Sequence, residues 1–414
     1  MEMGMAARRE YLAVLQEKYR RAQRKEKTKI LDEYCANTGQ ARKYVIRKMG
    51  ERGERDHKRK RRQSVYPGEM MPALVRLWEI FDYPCGQRLK PLLEGELDRL
   101  REMGEIKIGE ESAGKLRSIS SATIDRKLRR QREILHLKRE RGIPRPGSLL
   151  KGRIAIRLTA WDTTIVGNVE MDTVAHCGSS TLGEFVSSLS TTEIATGWWE
   201  GEGIPGKSQE ATFAALKSIR ARTPFSWKSI DTDNGTEFIN EILYKYCDRE
   251  KLEFTRSRPN HKNDNAYIEQ KNWTHVRKVL GYLRYDTAAE LNMINELYHY
   301  DLRLYKNFFQ PVMKLVSKER SGGRIRRKYD TPRTPYQRLL ESGQISSEKQ
   351  AELTSLYHSL NPAQLKRQID TRLEVLCQIH EMKNKKEKSF PSRQLTPNPV
   401  TFPMIQRIPA RLPT

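Results

Sequence analysis

WKSIDTDNGTEF, residues 227–238, decides how the chain is read. A short strand-like run ends at Asp231 and Asp233 and passes through Asp-Asn-Gly. EFINEILYKYCDRE behind it has helical spacing, and LEFTRSR reads as another strand. Upstream, GNVEMDTVAHC, EFVSSLSTTE and ATGWWE read as three successive strands with tight connections, and SQEATFAALKSIRART as an amphipathic helix. Downstream, DNAYIEQKNWTHVRKVLGYL and TAAELNMINELYHYDLRLYKNFF read as two long helices. Three strands followed by alternating helix and strand predict an α/β layer with a mixed sheet.

Three acids stand out in this region. Asp172 lies in the first strand (VEMDTV), Asp233 ends the strand of the opening stretch, and Glu269 lies in a helix (DNAYIEQKN); 60 residues separate the first two and 35 the last two. Two strand-borne aspartates and a helix-borne glutamate can converge at one edge of a sheet. Carboxylates crowded together repel, which raises their pKa values unless a cation neutralises them. Hard oxygen ligands favour Mg²⁺, with Mn²⁺ able to substitute. Two such ions about 4 Å apart would activate an attacking oxygen and stabilise a leaving one. The neighbouring acids read as structural: Asp162 as a surface residue, Asp231 as lying deeper in its strand, Glu237 as a helix start and Asp264 as a helix cap.

MDTV, DTDNGTEF and SRPNHKNDNAYIEQKN together resemble the insertion-sequence transposases of the retroviral-integrase superfamily, over roughly residues 155–320. The resemblance implies an RNase H-like core with a DDE triad of Asp172, Asp233 and Glu269 as catalytic residues and metal ligands. It implies strand cleavage that frees a 3′-hydroxyl, followed by attack of that hydroxyl on target DNA, without ATP. It also implies at least a dimer on DNA. Asn272, one helical turn after Glu269, could reach DNA or a ligand water. Many relatives carry a basic residue two turns after the glutamate; here that position is Val276, with Arg277 offered as the DNA contact in its place.

The charge balance names the same partner. Lys and Arg total 77 against 52 Asp and Glu, a net charge of +25, and residues 1–150 hold 37 of the cations against 22 acids. Such an excess points to a polyanion, DNA first. KTKILDEYCANTG sets Ile30, Leu31 and Tyr34 on one helical face and stops at Gly39. QARKYVIRKM resumes with Val45, Ile46 and Met49 inward and Arg42, Lys43, Arg47 and Lys48 outward, a helix-turn-helix outline. SSATIDRKLRRQRE gives a second candidate recognition helix, capped by Ser120 or Ser121, with Arg126, Lys127 and Arg130 outward.

GEGIPGKS, residues 201–208, matches the phosphate-loop pattern letter for letter. Pro205 has no N–H to offer, and no apolar strand ending in a second magnesium-binding carboxylate follows. The stretch reads as a turn from strand into helix, and no nucleotide cofactor is expected. The two tryptophans before it, Trp198 and Trp199, read as one inward and one packed under a helix. Five cysteines without a C-x-x-C pair predict reduced thiols rather than a zinc site. No apolar run approaches a membrane span and no signal peptide is read, so the expected location is cytoplasmic.

The expected organisation is multidomain: a helix-turn-helix domain (1–63), a second helical DNA-binding domain (64–140), a linker (141–152), the catalytic core (153–320), a basic helical region (321–383) and a disordered tail (384–414). The expected function is a DNA transposase acting on element ends and target DNA. The alternatives are a catalytically silent DNA-binding regulator and an RNase H-type nuclease that cuts without joining.

Overall fold

The structure, a computed structural model, describes residues 5–50, 66, 68, 70–134, 155–156, 161–258, 265–321 and 324–389. The basic run 57–62, the linker 141–152, Asp264 and residues 390–414 lie outside the described residues. The chain divides into two compact units, Met1–Val65 and Tyr66–Thr414.

The first unit holds α1 (Met5–Arg21), α2 (Arg24–Thr38) and α3 (Arg42–Gly50). Gly39 ends α2 in the left-handed region (φ 68°), returning its N–H to the Cys35 carbonyl. Leu15, Leu31, Tyr34, Val45 and Met49 form the core. Ile46 is exposed, contrary to the inward position that the sequence suggests. Val45 and Met49, four apart, already define the inner face of so short a helix, and the next residue is turned away from it.

The second unit opens with α4 (Met70–Ile80), α5 (Gly86–Glu102), α6 (Glu110–Ser118) and α7 (Ser121–Ile134). Ser120 caps α7, its Oγ accepting from the Thr123 N–H at 3.3 Å, and Ile124 and Leu128 are buried. The six-stranded sheet follows: β1 (Ala155–Ile156), β2 (Asn168–Ala175), β3 (Val186–Glu193), β4 (Trp199–Pro205), β5 (Ser229–Thr232) and β6 (Glu253–Arg256), in the order β1-β6-β5-β2-β3-β4. β3 runs antiparallel to its neighbours β2 and β4, while β5, β6 and β1 run parallel to β2. The mixed sheet is therefore present, with three meandering strands on one side and three parallel strands on the other.

Helices cover both faces. α8 (Gln209–Arg222) and α9 (Glu241–Arg249) bury Val169 and Met171 of β2 with Leu189, Ile204 and Ile230. The opposite face receives α10 (Ala266–Lys271), which continues through a π-helical stretch, Asn272–Arg277, into α11 (Lys278–Leu280). It also receives α12 (Ala288–Glu296), a second π-helical stretch (Leu297–Leu302) and α13 (Arg303–Phe309). Strand alternation sends Glu170 and Asp172 to this second face.

Both tryptophans are buried there. Trp199 donates from Nε1 to Ser190 Oγ at 2.9 Å, and its ring lies 5.1 Å from His275 and 5.5 Å from Tyr298. Gly201 and Gly203 are packing glycines. A Cβ on Gly201 would come within 2.7 Å of the Trp199 ring, and one on Gly203 within 3.0 Å of Asn295 and Leu291. Of the two glycines in the phosphate-loop pattern, Gly201 makes room for the Trp199 ring and Gly206 turns the chain in the left-handed region (φ 69°).

After the core, β7 (Leu315–Ser321) and β8 (Arg324–Tyr329) form a separate antiparallel ribbon, where the sequence suggests a helical region. α14 (Pro335–Glu341), α15 (Ser347–Ser359) and α16 (Pro362–Ser389) then pack back, with Tyr357 stacked among Phe308, Phe309 and Tyr336. α16 continues past residue 384, the expected start of the tail. The Tyr305 hydroxyl donates to the Ile80 carbonyl at 2.6 Å, joining α13 to α4.

Trp199→Ala removes the largest side chain between β4 and the helices. Denaturant unfolding is expected to show a loss of about 3–5 kcal/mol, the usual cost of emptying a buried tryptophan site.

Candidate active site

β2 and β5 are neighbours in parallel register, with Met171 opposite Thr232. Asp172, in the middle of β2, and Asp233, just past the end of β5, each follow one member of that couple, so the two carboxylates stand at the same level on adjacent strands. Asp172 is partly exposed yet densely surrounded. Burial first, and the Asp233 carboxylate second, push its carboxyl up to about 7. Asp233 is also raised, by burial first and by Glu237 among its neighbours. Each receives one backbone donor: Thr173 N–H to Asp172 Oδ1 at 2.7 Å, and Gly235 N–H to Asp233 Oδ1 at 2.8 Å. The Asp-Asn-Gly turn is held by Asn234, which donates to the Ser257 carbonyl and accepts from Arg256.

Asn272 donates from Nδ2 to Asp172 Oδ2 at 2.8 Å. Glu269 lies one turn earlier on the same side of α10, and its side chain is exposed. Among the described residues, no group of three or more His, Cys, Asp and Glu side chains is disposed to hold a metal ion. The structure thus brings Asp172 and Asp233 together on adjacent strands, with Glu269 on the helix that meets Asp172 through Asn272. The aspartate pair itself fits a divalent cation: its oxygens are hard donors, and each carboxylate gains from a positive charge between them.

Three residues at this site escape a reading of the sequence. Glu237, which has the look of a helix start, is buried in the turn before α9, where its Oε1 accepts from Thr173 Oγ1 at 2.6 Å. Lys207, in the phosphate-loop look-alike, places Nζ 3.4 Å from the same oxygen and draws the Asp172 and Asp233 pKa values down. Glu170, buried two residues before Asp172, accepts from the Ile268 N–H at 3.0 Å and from Trp161 Nε1 at 2.7 Å. It fastens the first turn of α10 to β2. Long-range pairings of this kind leave no local signal. The period of two that puts Glu170 on the face of Asp172 is the one available clue.

The other acids have structural partners. Asp231 is buried and bonded to Thr255, and Asp162 is exposed and accepts from Thr164. The phosphate-loop look-alike is strand through Pro205, the Gly206 N–H donates to the Phe185 carbonyl, and Ser208 Oγ caps α8. The Gly206 N–H and the β4 ladder up to Pro205 are therefore already engaged.

The basic residues assigned to DNA divide into two sets. Arg42, Lys43 and Arg47 on α3, and Arg126 and Arg130 on α7, are exposed. Arg42 pairs with Asp32, Lys48 is half-buried, and Lys127 Nζ donates to the Tyr66 carbonyl at 3.3 Å. Arg277 is half-buried and donates to the Ala175 carbonyl at 2.8 Å, its guanidinium 4.9 Å from the Tyr282 ring. All five cysteines are unpaired.

The class that fold and site define is an α/β protein with a mixed sheet and an acidic pair on two adjacent parallel strands. The chain is 37% identical over 340 residues to "Uncharacterized protein y4rM" of Sinorhizobium fredii (strain NBRC 101917 / NGR234), covering 81% of this chain and 96% of that protein. It belongs to the family of that protein. No family model matches the chain. Among solved structures, it is similar to the catalytic core domain of BIV integrase, with 16% identity, a TM-score of 0.29, and 43% of this chain and 95% of that chain covered. It is also similar to the HTLV-2 integrase catalytic core domain in complex with magnesium, with 11% identity, a TM-score of 0.27, and 35% and 88% covered. Among the described residues, no helix is long and apolar enough to cross a membrane.

A carboxyl raised by folding stabilises the folded state while protonated, and that contribution disappears as pH rises from its unfolded value through about 7. Asp172→Asn removes the titration. In chelator, the melting temperature of the variant relative to wild type is expected to climb between about pH 5 and 8. The gain is on the order of 1–2 kcal/mol after discounting for partial exposure. A flat difference would mean that neither burial nor the Asp233 carboxylate raises the Asp172 carboxyl.

Proposed function

We propose that the chain is a DDE transposase of the integrase type, which binds the ends of a mobile element and both cuts and joins DNA strands. The observation that carries this reading is the Asp172–Asp233 pair on adjacent parallel strands, with α10 closing on Asp172 through Asn272. The catalytic residues are Asp172, Asp233 and Glu269. Divalent cations, Mg²⁺ or Mn²⁺, would be held by these three carboxylates and would supply charge neutralisation and Lewis acidity at the phosphodiester.

The chain's own residues do the rest. Glu170 fixes the first turn of α10 on β2, and Glu269 would complete the triad from that helix. Asn272 orients Asp172. The exposed cations of α3 and α7 would bind duplex phosphates and set the register of the element ends. Strand cleavage by water and transfer by the freed 3′-hydroxyl are both in-line displacements at phosphorus and need only one site. Two ends joined in concert call for at least a dimer. The rival is a DNA-binding regulator with a silent core, and among the described residues no group of three or more His, Cys, Asp and Glu side chains is disposed to hold a metal ion.

The test is an oligonucleotide assay for cutting and joining with Mg²⁺. Wild type is expected to do both, and Asp233→Asn to lose about a hundredfold or more in each. Equal behaviour of the two proteins would favour the regulator, and cutting without joining would favour a nuclease. Lys207→Ala is expected to slow cleavage by about tenfold through the lost positive charge beside Glu237 and the aspartates, with Lys207→Arg recovering most of the rate. An unchanged rate for Lys207→Ala would leave this lysine a surface residue.

A further inference from the structure

The ribbon of β7 and β8 has no role in the site described above, and its composition is unusual. Residues 315–329 carry Lys318, Arg320, Arg324, Arg326, Arg327 and Lys328 against a single acid, Glu319. In the sheet register Lys318 faces Arg327 directly. Like charges opposite one another destabilise a strand pair, and a lone two-stranded ribbon is marginal to begin with. Lys318, Arg326, Arg327 and Lys328 are exposed, and none makes an ion pair with the described residues. Among the described residues, these four cations lack a counter-charge.

Strand alternation sorts its two faces. One carries the pairs Leu315 with Tyr329, Lys318 with Arg327, and Arg320 with Ile325. Leu315, Ile325 and Tyr329 are each at least 45% exposed, so apolar groups and cations alternate along this face in the open. The other face pairs Ser317 with Lys328 and Glu319 with Arg326.

The root of the ribbon is held firmly. Lys314 N–H donates to Asp330 Oδ1 at 2.7 Å, the Asp330 N–H returns to the Lys314 carbonyl at 2.9 Å, and Arg338 pairs with Asp330 at 2.8 Å. Lys314 Nζ reaches the Ala195 carbonyl in the turn between β3 and β4. An anchored two-stranded ribbon of this length, about 20 Å, suits the major groove of B-DNA, which admits such ribbons. Cations would meet the phosphates, while Ile325 and Tyr329 would meet base edges and sugars.

We propose that β7 and β8 form a DNA-binding ribbon that lies in a groove of duplex DNA, with Lys318 and Arg327 on the phosphates and Ile325 and Tyr329 inside the groove. The proposal rests on the reading of duplex DNA as the substrate. It adds a third grip, rooted in the same compact unit as the sheet.

The experiment uses the full chain and a fluorescently labelled duplex of random sequence, titrated over about 50–200 mM salt. Lys318→Ala/Arg327→Ala is expected to weaken binding by tenfold or more. It should also reduce the slope of log affinity against log salt by about 2, one for each phosphate no longer neutralised. Its melting temperature should not fall, because a like-charge pair has been removed. Ile325→Ala/Tyr329→Ala is expected to weaken binding with the slope unchanged. Unchanged affinity and slope in the charge variant would overturn the proposal. So would a loss confined to anionic phospholipid vesicles with duplex binding intact. If wild type joins no strands while the charge variant still loses duplex affinity, the transposase reading fails and the ribbon stands. If wild type joins strands and the charge variant binds and joins equally well, the ribbon proposal alone fails.

Discussion

Asp172 and Asp233 are forced together by strand pairing, and the local design answers to that constraint. The β2–β5 register leaves no freedom to separate them, since a slip of one residue would turn Val169 and Met171 out of their core and Glu170 away from α10. Two carboxylates held this way favour a shared proton or a bound cation over the doubly ionised state. Backbone donors from Thr173 and Gly235, the Asn272 amide and the Lys207 ammonium each relieve part of the repulsion. None cancels it, because both carboxyls remain above the ordinary aspartate range.

Much of this is legible in the sequence. The alternation through VEMDTV puts Asp172 within a strand, the acids closing WKSIDTD put Asp233 at a strand end, and the helix–strand alternation implies the parallel half of the sheet. The phosphate-loop match shows why letters need context. Gly201 and Gly203 admit Trp199, Asn295 and Leu291 against the backbone of β4, so the G-x-G spacing there reports helix packing. A phosphate loop would need the same glycines for backbone exposure, and β4 has already committed that backbone to β3.

What stays hidden depends on partners distant in sequence. Glu237 looks like a helix start because its partner, Thr173, lies 64 residues away. Glu170 looks like one more strand residue, because the α10 N–H it receives is set by the tertiary fold. The β7–β8 ribbon is hidden for a different reason. Its dense charge reads as solvated or helical text, and β-propensity is a weak prior where both faces of a ribbon are exposed.

In helix α10 the difficulty is one of counting. Along a regular helix, the position two turns after Glu269 is Val276, where the resemblance to integrase-type transposases implies a basic residue. The π-helical stretch changes the count, because it closes hydrogen bonds from i to i+5 and adds a residue to the turn. His275 and Val276 are both buried as a result, and Arg277 comes round to the side of Asn272. Both then address β2, Asn272 at Asp172 and Arg277 at the Ala175 carbonyl. A basic residue is thus present at the second turn in space though absent in linear spacing. It is tied to the strand that bears the first aspartate, and DNA would have to draw it away from that carbonyl before it could bind a phosphate.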